Sequence, residues 1–309
     1  MSYKKIVILI AIFLSCVNFS FGKEIVIVAN INDEIITNID IEIEKEYLLL
    51  LNNSLNKLSK KDLFNLSKKS LVREKIKNKE INKLFNKDMD DKLKKKIIEN
   101  FYKRLGLSRK SELIALLEQK NLDLENLKEK LLLEAKWNRM IYIKFNDRIK
   151  IDEEEIKEKI KEIYNNKEKN YEFHLSEILV DIEKYNSLTK NEISNYIQSY
   201  GFKIAANKYS KSDTSKYGGE IGWIKDARLS NKIKQKISKI KIGEITKAIQ
   251  SPNGYLILKL NDKREIGEKL NLEKELKQQV AFERNRQLDQ YSLNYYKKLK
   301  QNVVIYENK

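Results

Sequence analysis

The pattern of apolar positions divides the chain into a helical first half and a mixed second half. From 52 to 166 apolar residues recur every three or four positions, as at Leu93, Ile97 and Phe101. This is the spacing of helices that each bury one stripe. The later run Phe173–Val180 is short, mixes polar residues with Phe173 and Leu175, and ends in Ile178-Leu179-Val180, which we interpret as a strand. The pattern predicts an α+β fold in which several amphipathic helices precede a smaller mixed domain.

Strand patterns also open and close the chain. The run Ile25–Val28 is apolar on both faces, so we expect it to be covered on both sides or paired deeply in a sheet. Thr37 and Asp40 then have the spacing of a capping box that starts a helix. A long helical stripe over 270–300 leads into a last strand over 302–306. Because an unpaired strand edge invites aggregation, we expect the two terminal strands to pair and to tie the last helix into the N-terminal module.

The first 22 residues have the composition of a targeting segment. A basic start is followed by a short apolar run and by Ser20-Phe21-Gly22, which predicts a secretory signal cleaved before Lys23. A retained membrane anchor and lipidation at Cys16 remain as alternatives. Cys16 is the only cysteine, so cleavage leaves a mature chain that forms no internal disulfide.

Charge adds little to this interpretation. The chain has 62 Lys and Arg against 45 Asp and Glu, a formal net charge of +17. Basic patches bind nucleic acid, but here lysines are spread along the chain without an Arg-rich tract, so we interpret them as solvated helix faces. With His174 as the only histidine, we expect no metal site, no cofactor and no Cys–His nucleophile pair.

The glycine-rich run Gly218–Trp223 is the most specific motif. It has three glycines in five positions, as expected where backbone must turn tightly or approach another chain segment. Tyr209-Ser210 precedes it, and the blocks Ile240–Ile245 and Ser251–Leu260 follow. With the strand Phe173–Val180 in front, this order resembles a parvulin domain of the PpiC type, a small prolyl isomerase fold.

The resemblance implies a pocket that binds an extended or proline-containing peptide. Rotation about an X–Pro bond must cross a barrier of about 18–20 kcal/mol, and parvulins hold the proline ring against apolar side chains. Matching the family position by position places Ile221 in this pocket, with Leu229 and Ile233 on the helix that follows. The peptide-binding positions that we assign in this domain are Ile221, Leu229, Ile233, Ser251 and Asn253.

The two histidines of the family pocket are missing. Glu177 stands at the first histidine position and Leu256 at the second, while Ser212 takes the polar position between them. His174 precedes Glu177 by three residues and so points to the other face of a strand; we expect it at the surface, at the strand's end. The resemblance therefore implies a degenerate site that binds peptide but has weak or no isomerase activity.

The N-terminal segment resembles SurA-type periplasmic chaperones, in which a similar strand leads into a Thr-x-x-Asp helix start. Here that strand is Ile25–Asn32, followed by Thr37 and Asp40. This resemblance implies a helical chaperone module completed by the C-terminal helix and strand, with the parvulin-like domain inserted. The expected divisions are a signal peptide over 1–22, a helical domain over 23–165, a parvulin-like domain over 166–266 and a C-terminal helix and strand over 267–309.

The leading hypothesis is a periplasmic, ATP-independent chaperone that holds unfolded outer-membrane β-barrel precursors, with the outer-membrane assembly machinery as a further partner. Trp137 and Tyr142 are candidate client contacts, with core packing as the alternative for each. The second hypothesis is an active prolyl isomerase of the cell envelope. The third is a membrane-anchored foldase that keeps residues 1–22. No nucleic-acid partner is expected.

Overall fold

The structure is a computed structural model. It describes residues 24–31, 34–84, 89–165, 170–266 and 271–307. The predicted signal segment lies outside these residues. The described part combines a helical N-terminal region, a mixed domain around 170–266 and a C-terminal helix and strand, so the predicted α+β class is confirmed.

Six helices follow the first hairpin, and polar side chains set where most of them begin. Thr37 accepts a hydrogen bond from the backbone N–H of Asp40 at 3.2 Å, and a carboxylate oxygen of Asp40 accepts the Thr37 N–H at 2.7 Å. The predicted capping box is therefore present. The helices are α1 (Asn38–Leu51), α2 (Lys60–Asn82), α3 (Asp91–Arg104), α4 (Lys110–Gln119), α5 (Leu124–Phe145) and α6 (Glu153–Asn165).

A three-stranded sheet joins the two ends of the described chain. Strands β1 (Ile27–Ile31) and β2 (Glu34–Thr37) form the hairpin, and the last strand, β7 (Ile305–Glu307), pairs antiparallel with β1. Ala29 lies opposite Glu307 and Ile31 opposite Ile305. The predicted pairing of the terminal strands is confirmed.

Of the two alternatives expected for the first strand, pairing is confirmed, because β1 lies between β2 and β7, whereas coverage of both faces is wrong. Ala29 and Ile31 are buried, but Ile25 is 67% exposed and Val26 49% exposed. Strand β1 begins only at Ile27, so the first apolar residues precede the sheet. An apolar sequence run indicates where a strand can form, but it does not indicate which of its faces another element covers.

The mixed domain contains a four-stranded antiparallel sheet in the order β4-β3-β6-β5. Two helices cover one face, where Ile178 and Val180 are buried against Phe202 and Ala205. The other face carries Leu175 and the remaining apolar cluster. The elements are β3 (Asn170–Val180), α7 (Ser187–Tyr200), α8 (Phe202–Tyr209), β4 (Glu220–Lys225), α9 (Asn231–Ile237), β5 (Ile249–Ser251) and β6 (Gly254–Ile266).

The last helix, α10 (Leu272–Gln301), packs on α5 of the N-terminal region. Trp137 of α5 is fully buried, and its indole N–H donates to the hydroxyl of Ser292 on α10 at 2.8 Å. The expected packing of the last helix on the N-terminal module is confirmed. Trp137 is thus a core residue, and its assignment as a client contact is wrong because none of its surface is exposed.

The mixed domain is docked on the N-terminal helices. Ile204 of α8 is 1% exposed and packs in one cluster with Leu48, Leu55 and Leu63. Beside this cluster the Asn52 amide donates to the Asn207 carbonyl oxygen at 2.7 Å. The apolar contact and the buried hydrogen bond beside it together fix the orientation of the mixed domain on the N-terminal helices.

Candidate functional site

A large cleft lies between the sheet face that carries Leu175 and two helices outside the mixed domain, α6 and α10. Its volume is about 1120 Å³. One wall comes from β3, β4, α9 and β6, and the opposite wall comes from α6 and α10. A cavity of this size with mostly apolar walls is the usual form of a binding site.

Polar groups meet at the floor of the cleft. The hydroxyls of Ser212 and Thr214 both donate to one oxygen of the Glu177 carboxyl group, at 2.7 Å and 3.0 Å. Burial raises the pKa of Glu177 above its usual value, and the two hydrogen bonds oppose that shift. Ser212 is held in place because its side chain also caps the short turn 213–217. The floor is therefore an ordered hydroxyl–carboxyl network.

The structure brings most of the predicted site residues together. The residues of the mixed domain that were assigned from sequence and that line the cleft are Glu177, Ser212, Ile221, Leu229, Ile233, Ser251, Asn253 and Leu256. One detail differs from prediction: Leu229 follows the short turn 226–228 and precedes α9, which begins at Asn231.

Tyr142, a candidate client contact, and His174 lie elsewhere. Tyr142 is 45% exposed on α5 and does not line the cleft. His174 also lies outside the cleft lining, with its ring 5.2 Å from that of Trp223 and its Nε2 atom 3.4 Å from a Glu220 carboxylate oxygen. Its predicted place at the strand's end is wrong, because β3 extends from Asn170 to Val180 and His174 lies within it.

Sequence reasoning missed the wall that α6 and α10 supply. Ile156 and Ile160 of α6 face the cleft, as do Phe282, Asp289 and Leu293 of α10. Their spacing of four or seven places each set on one helix face. The stripe itself was visible in the sequence, but a stripe does not indicate which surface lies opposite.

Several charged groups of the cleft have charged partners, either in the lining or just outside it. Arg286 donates two hydrogen bonds to Glu283. Asp213 lies 3.5 Å from Arg73 and 3.8 Å from Lys77, both on α2. Among the described residues no group of three or more His, Cys, Asp or Glu side chains is placed to hold a metal ion.

Comparisons with known proteins agree with this geometry. The family model described as Rotamase, PPIC-type PPIase domain, matches residues 181–262. Chaperone SurA of Pseudomonas putida is 31% identical over 127 residues, which are 38% of this chain and 30% of SurA. Foldase protein PrsA of Geobacillus kaustophilus is 30% identical over 136 residues, which are 44% of each chain.

A solved structure is also similar over most of the chain. It comes from a study of PEB4 and Cj1289, described there as SurA-like chaperones of Campylobacter jejuni. It is 16% identical and covers 92% of this chain and 99% of its own, with a TM-score of 0.35. The described part of the present chain contains no helix that is long and apolar enough to cross a membrane.

The sheet, the glycine turn and the matched family model together define a protein with a PpiC-type parvulin domain. The chain is related to the chaperone–foldases SurA and PrsA. The matches span about a third of the length of the SurA chains.

Proposed function

We propose that this protein is a chaperone that holds unfolded client segments in the cleft between its parvulin domain and helices α6 and α10. The observation that carries the proposal is the composition of that cleft. Apolar residues line both walls, and the lining includes Glu177 and Leu256, the residues that the resemblance to parvulins aligns with the two family histidines.

The cleft has the properties needed to bind an extended chain reversibly. Apolar burial contributes about 25 cal/mol per Å², so a few contacts with Ile221, Phe282 and Leu293 hold a segment without ATP. Two buried polar atoms at the cleft, Nε of Arg228 and Oδ1 of Asn253, have no hydrogen-bond partner in the described part of the chain. A peptide main chain supplies both an acceptor and a donor for such atoms.

We propose that prolyl isomerisation at this site is weak or absent. Leu256 provides neither a hydrogen-bond donor nor an acceptor. The Glu177 carboxyl group already accepts two hydroxyl donors. The network that tunes two imidazoles in the family therefore has no counterpart on the Leu256 side of the floor.

We propose that the clients are outer-membrane β-barrel precursors in the periplasm, delivered to the outer-membrane assembly machinery. The relation to SurA supports this choice. Barrel strands alternate apolar and polar residues and carry aromatic girdles, so their precursors expose many moderate apolar sites. An apolar cleft of about 1120 Å³ accommodates one such site at a time.

Two measurements on the chain without residues 1–22 test the proposal. We expect suppression of aggregation of an unfolded barrel protein, and an isomerisation rate of a proline peptide close to the uncatalysed rate. Ile221→Asp, in the cleft, should abolish the suppression because it places a charge on the apolar wall. Ile242→Asp should not, since Ile242 is 57% exposed and lies outside the cleft lining.

The second candidate function is active isomerisation, which the ordered network of Glu177, Ser212 and Thr214 favours. Catalysis far above background that is lost in Glu177→Gln would establish this candidate and overturn the proposal of a degenerate site. Equal suppression of aggregation by Ile221→Asp and Ile242→Asp would show that clients bind outside the cleft.

A further inference from the structure

Helix α10 carries a carboxyl group into the cleft from outside the parvulin domain. Asp289 lines the cleft on the same helix face as Phe282 and Leu293. Its side chain is exposed to the space of the cleft. It makes no hydrogen bond or ion pair with any described residue, whereas Glu283 and Arg286, one turn away, pair with each other.

The surroundings of Asp289 are acidic. Burial by the surrounding protein disfavours the charged form of its carboxyl group. The negative charges of Asp213 and Glu177 also lie near enough to repel it. Together these effects raise the pKa of Asp289 to about 6. No cation is among the groups that act on it.

The cations that line the cleft have other partners or are not among the groups that act on Asp289. Arg286 is paired with Glu283, Arg228 with the side-chain oxygen of Gln278, and Lys159 with Glu155. Desolvation alone lowers the pKa of Lys234 on α9, with no carboxylate opposing it. The carboxylate of Asp289 is therefore available to a positive charge that a ligand brings.

We propose that Asp289 is a specificity-determining residue that makes the cleft select client segments in which a lysine or arginine flanks an apolar residue or proline. This inference rests on the proposed function, because it concerns the ligand of the same cleft. The apolar part of such a segment lies against Ile221 and Leu256, and the basic side chain reaches across to α10.

The chemistry of the basic side chains fits this arrangement. Lysine and arginine have long apolar stems that pack along apolar surface while the charge extends to a polar group. A charge-assisted hydrogen bond to a partly desolvated carboxylate is stronger than a neutral one. Opposite charge within about 4–6 Å also lowers a raised carboxyl pKa, so such a ligand offsets the repulsion that Asp213 and Glu177 exert on Asp289.

Three peptides of equal length test the selectivity by fluorescence anisotropy at pH 7.5, with the chain lacking residues 1–22. Each contains the same apolar–proline centre, flanked by lysine, by norleucine or by glutamate. Norleucine matches the apolar stem of lysine without its charge. We expect the lysine peptide to bind about tenfold more tightly than the norleucine peptide and the glutamate peptide to bind most weakly.

Asp289→Asn should reduce the preference for lysine to within about twofold, because the amide keeps the shape and loses the charge. The matched control is Glu273→Gln, which removes the same charge from an exposed residue of the same helix outside the cleft. That variant should keep the tenfold preference. Since Asp289 has no partner among the described residues, its replacement should not unfold the protein, and a thermal unfolding curve checks this.

The outcomes separate the two proposals. Equal binding of the lysine and norleucine peptides, or an unchanged preference in Asp289→Asn, overturns the selectivity alone. Absence of binding by all three peptides, or binding that Ile221→Asp leaves intact, overturns the peptide site itself and the selectivity with it.

Discussion

Gly219 lies where the chain passes so close to β3 that a side chain does not fit. A Cβ atom there would lie 2.2 Å from the carbonyl oxygen of Glu177, and the residue has a φ of +79°. Its own carbonyl oxygen accepts the Glu177 N–H at 2.8 Å. This glycine therefore positions the floor of the cleft through the backbone of Glu177.

Gly219→Ala should lower the free energy of unfolding by about 3 kcal/mol, because it combines an unfavourable φ with a backbone collision. Gly222→Ala is the matched control, since Gly222 has a φ of +95° and a Cβ atom there would meet nothing within 4 Å. It should cost about 1 kcal/mol, the conformational part alone. Urea unfolding of both variants measures the difference, and equal losses would contradict the collision.

Two substitutions test the proposal that isomerisation is weak because Glu177 and Leu256 stand where the parvulin family has histidines. The double variant Glu177→His with Leu256→His should raise the isomerisation rate of a proline peptide well above that of the parent protein. Each single variant should raise it less, because residues that act as one unit are not additive. An unchanged rate in a folded double variant would show that other parts of the floor limit catalysis.

At the scale of the element, the last strand shows how alternation divides core from surface. Ile305 of β7 packs on the cluster formed by Ala29, Ile31 and Ile36, while its neighbour Tyr306 is 66% exposed. The strand is only three residues long, yet it closes the connection between the two ends of the described chain.

Ile305→Asp should lower the free energy of unfolding by about 2 kcal/mol or more, because it places a charge against an apolar cluster. Tyr306→Asp, on the opposite face of the same strand, should change it by no more than about 0.5 kcal/mol. Thermal unfolding of the two variants provides the comparison. A larger loss from the tyrosine variant would show that the outer face of this sheet is covered.

Elements were easier to predict from the sequence than their partners. The capping box at Thr37 depends on neighbours in the sequence, so local chemistry specifies it. The glycines around Gly219 indicated a tight turn or a close approach, but not that the Glu177 carbonyl of β3 lies beside it. The pairing of the terminal strands followed from the lack of a partner for β7. By contrast, α6 and α10 show an apolar stripe that says nothing about the surface opposite it, and so the second wall of the cleft could not be predicted.

Trp137 illustrates the same limit within a single residue. A large aromatic side chain with a polar N–H suits either a binding surface or a core, and its sequence neighbours do not distinguish the two. The choice depends on Ser292, which lies far along the chain and accepts the indole hydrogen bond at 2.8 Å. Only the packing of α10 on α5 brings the pair together.

At the scale of the whole molecule, the C-terminal helix serves two surfaces at once. One face of α10 packs on α5 through Leu288 and Tyr295. The other faces the parvulin domain across the cleft through Phe282 and Asp289. The buried Lys225–Glu275 pair joins β4 to the first turn of the same helix. Opening the cleft therefore requires the parvulin domain to move relative to a helix that is anchored in the N-terminal core.

The acidic groups of the cleft make stability depend on pH in a predictable direction. The pKa of Asp289 is raised to about 6, whereas an aspartate in the unfolded chain titrates near about 3.9. Below about pH 4 the group is protonated in both states and has no effect. As pH rises to about 6 the unfolded chain ionises first, so the folded protein loses stability until both states are charged.

Asp289→Asn should therefore be more stable than the parent protein at about pH 7, with a difference that declines toward zero near about pH 4. Urea midpoints of the two proteins at half-unit steps of pH measure it, with Glu273→Gln as the control that shows no such trend. The other charged groups that line the cleft are Lys159, Glu162, Glu177, Asp213, Arg228, Lys234, Glu283 and Arg286. These are common to parent and variant, so the difference reports the titration of Asp289 together with its coupling to Asp213 and Glu177. A difference that is constant over this range of pH would show that Asp289 titrates as a solvated aspartate, without the acidic surroundings that the cleft gives it.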